Sequence, residues 1–120
     1  MKRSLVVKLT RGAEAPETAN QAFTVAATAL ATGVGVSLWL TGEASWFATA
    51  DAAADLQLEH ATPLADLRAT ILAGGLLTVC SQCAARRGIT EESVLDGVRI
   101  AGSASFVEEV LVDDAQALVY

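Results

Sequence analysis

The chain has 120 residues, 52% of them apolar and 5% aromatic, which suits one ordinary domain with one compact core. A formal net charge of -6 would meet repulsion along a nucleic-acid backbone, so no direct nucleic-acid partner is expected. The mean hydropathy of +0.43 raises the question of a membrane, because residues 18–42 carry no charge and are long enough to span one. That run is mostly Ala, Thr and Gly, however, and "TGVG" at 32–35 divides a helical pattern from a β-branched and aromatic one, so no membrane association is expected. The opening "MKRSLVVKLT" has the charged start of a signal peptide, but Lys8 interrupts its apolar run and no cleavage site follows. These features imply a cytoplasmic protein with reduced thiols.

In chain order, "SLVVKL" at 4–9 predicts a first strand and "TRGAEAPE" a loop into a helix, with Pro16 in its first turn. Ala19, Ala22, Phe23, Ala26, Ala29 and Leu30 recur at offsets of three and four, and Gly33 is placed to end the helix. "VSLWL" at 36–40 is unbroken enough to be a parallel strand covered on both faces, with Trp39 in the core. Residues 41–57 predict a turn and an irregular, alanine-rich helix containing Trp46, which would be an interface residue, a pocket wall or a partly buried anchor. Thr62 and Pro63 open a helix stopped by Gly74 and Gly75, and "LLTV" leads a third strand to Cys80. A short helix at about 81–87 ends at Gly88, and Thr90, Glu91 and Glu92 predict a further turn of helix. "VRIA" is a fourth strand, Ser105 and Glu108 have capping-box spacing, a helix starting at Ser103 reads equally well, and "ALVY" is a fifth strand. The alternation predicts an α/β fold: a single domain, residues 1–120, with an open, mainly parallel five-stranded sheet and helices on both faces. Chemistry in such sheets collects beyond the carboxyl ends of the strands, which makes neighbours of the loops at 10–15 and 41–46 and the segment after Cys80.

Cys80 and Cys83, the chain's two cysteines, stand in C-x-x-C spacing at a strand-to-helix junction. A thiol there faces unpaired backbone N–H groups, which favour thiolate, and Arg11, Arg86 and Arg87 are candidates to stabilise the anion. A buried cysteine that only closes a strand is the plain alternative, and so are solvent-exposed roles for the three arginines. Zinc would need two more ligands where the chain offers one histidine, His60, which reads better as a loop residue; no metal or cofactor is expected. A thioredoxin-like dithiol is suggested by the spacing, but the motif follows the third strand and no proline comes after Pro63. Gly33-Val34-Gly35 precedes its strand and cannot be a dinucleotide fingerprint.

"VCSQCAARRGITEE" at 79–92 resembles the cysteine segment of the DsrE family of sulfur-relay proteins, TusD-like chains included, in which a strand ends in the sulfur-accepting cysteine. Phe23, the turn near Gly102 and "EEVLVDDAQALVY" sit where that family places similar patterns. The resemblance implies a DsrEFH-like fold, Cys80 as acceptor of sulfane sulfur, and a carrier or persulfide-forming sulfurtransferase working without cofactor. It also implies donor and acceptor proteins as partners and a homo-oligomer, trimer or hexamer. Cys83 departs from the pattern, replacing a small apolar residue with a candidate resolving thiol. The alternatives are a non-catalytic oligomeric binding or regulatory module of the same fold, or a C-x-x-C thiol-disulfide redox protein.

Overall fold

The computed structural model describes residues 3–50 and 56–120. Five strands, β1 (Ser4–Leu9), β2 (Gly35–Leu40), β3 (Leu76–Cys80), β4 (Arg99–Ala101) and β5 (Ala115–Val119), form one sheet in the order β4-β3-β2-β1-β5, and every pairing is parallel. The helices are α1 (Pro16–Ala31), α2 (Leu64–Gly74), α3 (Ser81–Arg86) and α4 (Ser103–Val110), with a 3-10 helix at Gly42–Ala48.

Alternation along the strands explains the layers. Val7, Leu9, Leu38, Leu40, Leu77 and Val79 point to one face, where they join Ala19, Ala22, Phe23 and Ala26 of α1, Leu64 and Ile71 of α2, Phe47 and Ala84 in one buried cluster. Phe23 and Phe47 meet edge to face at its centre, with ring centroids 5.7 Å apart. The intervening residues Lys8, Ser37, Trp39, Thr78 and Arg99 point to the other face, which α4 covers: Phe106 packs edge-on to Trp39, and Glu109 bonds Ser37, Trp39 and Arg99. The chain moves across the sheet from β1 to β4 with its helices on the first face, then returns over the second face to place β5 beside β1.

Several expected boundaries shift for local reasons. The fourth strand begins at Arg99 because the Val98 N–H bonds Leu95 O. The expected turn of helix after Thr90 is a hydrogen-bonded turn: the N–H groups of Ser93 and Val94 both return to Thr90 O, and Val94 then bridges antiparallel to Thr49. Of the two readings for the late helix, the start at Ser103 is observed, with Gly102 as N-cap and no side-chain cap. A Cβ at Gly102 would lie 3.2 Å from Ser81 Oγ, so α3 and α4 approach closely at this glycine. The irregular helix at 41–57 is the 3-10 helix in its described part, and residues 51–55 lie outside the described residues. Trp46 is partly buried against the core and Trp39 lies within the sheet's interior. His60 is an exposed turn residue with φ of 62°.

Candidate functional site

β3 and β4 are adjacent, yet the helices that follow them leave toward opposite faces of the sheet. Cys80, the last residue of β3, is the N-cap of α3 and lies half-buried at the carboxyl ends of the two strands, with Gly102 and the start of α4 close against Ser81.

No side-chain hydrogen bond of standard geometry caps α3, but the N–H groups of Cys83 and Gln82 lie close enough to the Cys80 sulfur to favour its thiolate. Partial burial pushes the thiol up; those two N–H groups, the Cys83 thiol and the charge of Lys8 pull it down. The balance falls below the ordinary cysteine value, which raises the thiolate fraction of Cys80.

Cys83, within the first turn of α3, is also half-buried, and its sulfur accepts a 3.3 Å hydrogen bond from the Gly42 N–H. Only glycine fits this donor position: φ is 55°, and an added Cβ would stand 2.9 Å from Thr10 O. Arg87 ties the same turn to α3, pairing with Glu43 at 2.8 Å and donating to Cys83 O at 3.1 Å. The first loop joins them, since Gly12 packs so closely on Glu43 that a Cβ there would come within 2.6 Å of its carbonyl oxygen. The loops at 10–15 and 41–46 and the segment after Cys80 therefore meet as the parallel topology requires.

The three arginines expected near the anion are placed differently from one another. Arg87 is engaged with Glu43, whereas Arg11 and Arg86 are exposed and form no ion pair among the described residues. None of the three is among the groups that shift Cys80; Lys8 is. Lys8 shares a register row with Trp39, Thr78 and Arg99 across four strands, its ammonium 5.1 Å from the Phe106 ring centroid. The signal for it in the sequence is a lysine within the apolar run of a strand that parallel topology makes internal, where an unpaired charge is costly. Gly42 and Glu43 had no such signal, because their role comes from a contact with a residue some forty positions away. Among the described residues no group of three or more His, Cys, Asp or Glu side chains could hold a metal ion, and no helix is long and apolar enough to cross a membrane.

The profile of the DsrE/DsrF-like family matches residues 3–116. In structure the chain is similar to the ychN protein from E. coli, with a TM-score of 0.80 at 16% sequence identity over 100% of both chains. It is also similar to MTH1491 from Methanobacterium thermoautotrophicum, described as a protein of unknown function, with a TM-score of 0.71 at 11% identity over 99% of this chain and 100% of that one. No curated protein gives a significant sequence match.

Proposed function

The chain belongs to the DsrE/DsrF-like family, and from that premise we propose that it is a sulfur-relay carrier or sulfurtransferase subunit that accepts sulfane sulfur on Cys80. The observation that carries this reading is the half-exposed Cys80 sulfur at the β3–α3 junction, with N–H groups, a neighbouring thiol and Lys8 favouring its thiolate. In the loading step Cys80 thiolate forms a bond to the outer sulfur of a donor persulfide. The donor's S–S bond breaks, its electron pair leaves on the donor thiolate, and Cys80 becomes the persulfide. A second thiol, on the acceptor, then takes the outer sulfur by the same exchange. No external cofactor enters either step.

Donor and acceptor are proteins in this reading. The exposed cations Arg11 and Arg86 stand at the same end of the sheet to meet the anionic groups of a docked partner, while Arg87 holds the Gly42 turn in place. Intact mass after incubation with glutathione persulfide tests the reading: the wild type gains one sulfur atom, Cys80→Ser gains none, and normal loading of that variant would remove it.

The protein is further proposed to act as a homo-oligomer, a trimer or hexamer. Leu111 and Val112 after α4 and Val119 on the edge strand β5 are 75%, 57% and 67% exposed, apolar side chains that a second copy would cover. Sedimentation at micromolar concentration should show the assembly; a monomer would contradict it.

A further inference from the structure

We propose that Cys83 is a resolving thiol, which makes the site able to release its sulfur reductively as hydrosulfide as well as to pass it on. This rests on the reading of Cys80 as the acceptor. The two sulfurs are placed at the N-cap and in the first turn of one short helix, the arrangement in which a C-x-x-C pair can close a disulfide. The Cys83 side chain lies within hydrogen-bonding reach of the Cys80 sulfur, and its own sulfur accepts from the Gly42 N–H at 3.3 Å. The Gly42 turn is tied to α3 by Arg87, which pairs with Glu43 and donates to Cys83 O. A simple carrier needs no second thiol within reach of its persulfide.

The chemistry balances within the molecule. Cys83 Sγ attacks Cys80 Sγ, the inner sulfur of the persulfide, and forms the intramolecular disulfide. The bond from Cys80 Sγ to the outer sulfur breaks, and its electron pair leaves with that sulfur. The proton from Cys83 goes to the same atom, giving hydrosulfide. The outer sulfur is reduced and the two cysteine thiols are oxidised. A further turnover requires a dithiol reductant, whose own thiols become a disulfide as Cys80 and Cys83 are restored. The fate of a loaded sulfur is thus a competition: a docked acceptor thiol takes the outer sulfur, and without one Cys83 discharges it.

The test is a single turnover on the full chain. Wild type, Cys83→Ser and Cys80→Ser are loaded with glutathione persulfide, freed of donor, and followed by intact mass and by trapping of sulfide. Serine keeps a polar atom where the Gly42 N–H donates but cannot form the disulfide. In the wild type the added sulfur should disappear, leaving a mass two hydrogens below the dithiol and an equimolar amount of sulfide. In Cys83→Ser the sulfur should persist at least roughly tenfold longer, because the competing thiol no longer sits in position. Non-reducing peptide mapping of the discharged wild type should join Cys80 to Cys83, a readout that does not depend on the variant's folding. Equal persistence in wild type and Cys83→Ser would overturn the resolving role while leaving Cys80 as acceptor, and sulfur mapped to Cys83 would overturn both assignments. Normal loading of Cys80→Ser would overturn the acceptor reading itself, as would failure of all three proteins to load.

Discussion

Two polar clusters adjoin on the sheet face covered by α4, meeting along the row of Lys8, Trp39, Thr78 and Arg99, and they handle charge in opposite ways. In one, Glu109 accepts from Ser37, from Trp39 Nε1 at 3.0 Å and from Arg99, whose Nε donates to Thr78 at 2.9 Å. Burial raises the Glu109 carboxyl, and the bonds from Ser37, Trp39 and Arg99 with the Arg99 charge outweigh it, so the net direction is down. At the carboxyl ends, Cys80 is also lowered, but by backbone N–H groups, a thiol and a lysine that is not ion-paired among the described residues. The first cluster closes on itself; the second leaves a half-exposed sulfur with anion-favouring surroundings and no counter-charge in contact. A cavity of about 570 Å3 adjoins the first cluster, lined by Ser37, Leu76, Arg99 and Glu109 among others, and it contains no nucleophilic thiol. What separates structure from chemistry here is whether the favoured charge is already spent on a partner.

The sharpest way to break this contrast is a pair of substitutions whose effects should not overlap. Cys80→Ser should abolish sulfur loading with little change in unfolding midpoint. Glu109→Ala should load normally and lose about 2–3 kcal/mol of stability, because the buried Trp39 N–H and the Arg99 guanidinium lose their acceptor together. Denaturant unfolding and intact-mass loading on both variants give the four values needed. Loss of loading in Glu109→Ala with the fold intact would show that the clusters are coupled.

Acid provides a milder probe of the same difference. Because the folded-state carboxyl of Glu109 lies below its unfolded value, its contribution to stability is fully present above the ordinary glutamate range and is lost as pH falls through the lowered value. Stability curves should therefore converge for wild type and Glu109→Gln at acid pH and separate toward neutrality. A constant difference across that range would mean that the ion pair with Arg99 adds nothing.

The same division marks what was legible in the sequence. Period and punctuation are local, so α1 from Pro16, β2 through Trp39 and the β3–α3 junction at Cys80 could be read residue by residue. Parallel topology then brought three loops together before any contact was visible. The Glu109 cluster was not legible, because its partners Ser37 and Trp39 lie 72 and 70 residues away and nothing in "SASFVEEV" marks one glutamate over its neighbour. The turn after Thr90 went to a hydrogen-bonded turn because Val94 is drawn to Thr49, a tertiary pairing that overrides the acidic helix-start pattern. Lys8 favours the Cys80 thiolate because strand order and register set it on the thiol's side of the sheet.

Lys8 therefore yields the smallest but most specific prediction. It is the last and weakest of the influences lowering Cys80, behind the N–H groups of Cys83 and Gln82 and the Cys83 thiol, so its removal should leave a reactive cysteine. Lys8→Gln should raise the pH midpoint of Cys80 alkylation, since the thiolate loses a favourable charge, and should slow alkylation at neutral pH by the corresponding loss of thiolate. Added salt should move the wild-type midpoint in the same direction, because ions screen a charge acting through space but not N–H groups against the sulfur. In Lys8→Gln that salt dependence should largely vanish. The ammonium also rests over Phe106, so a repacked α4 could mimic the effect on reactivity. It would not mimic the lost salt dependence, which belongs to the charge alone. A midpoint unchanged by the substitution, with the wild-type response to salt retained, would assign the lowered Cys80 thiol wholly to the first turn of α3 and its neighbouring thiol.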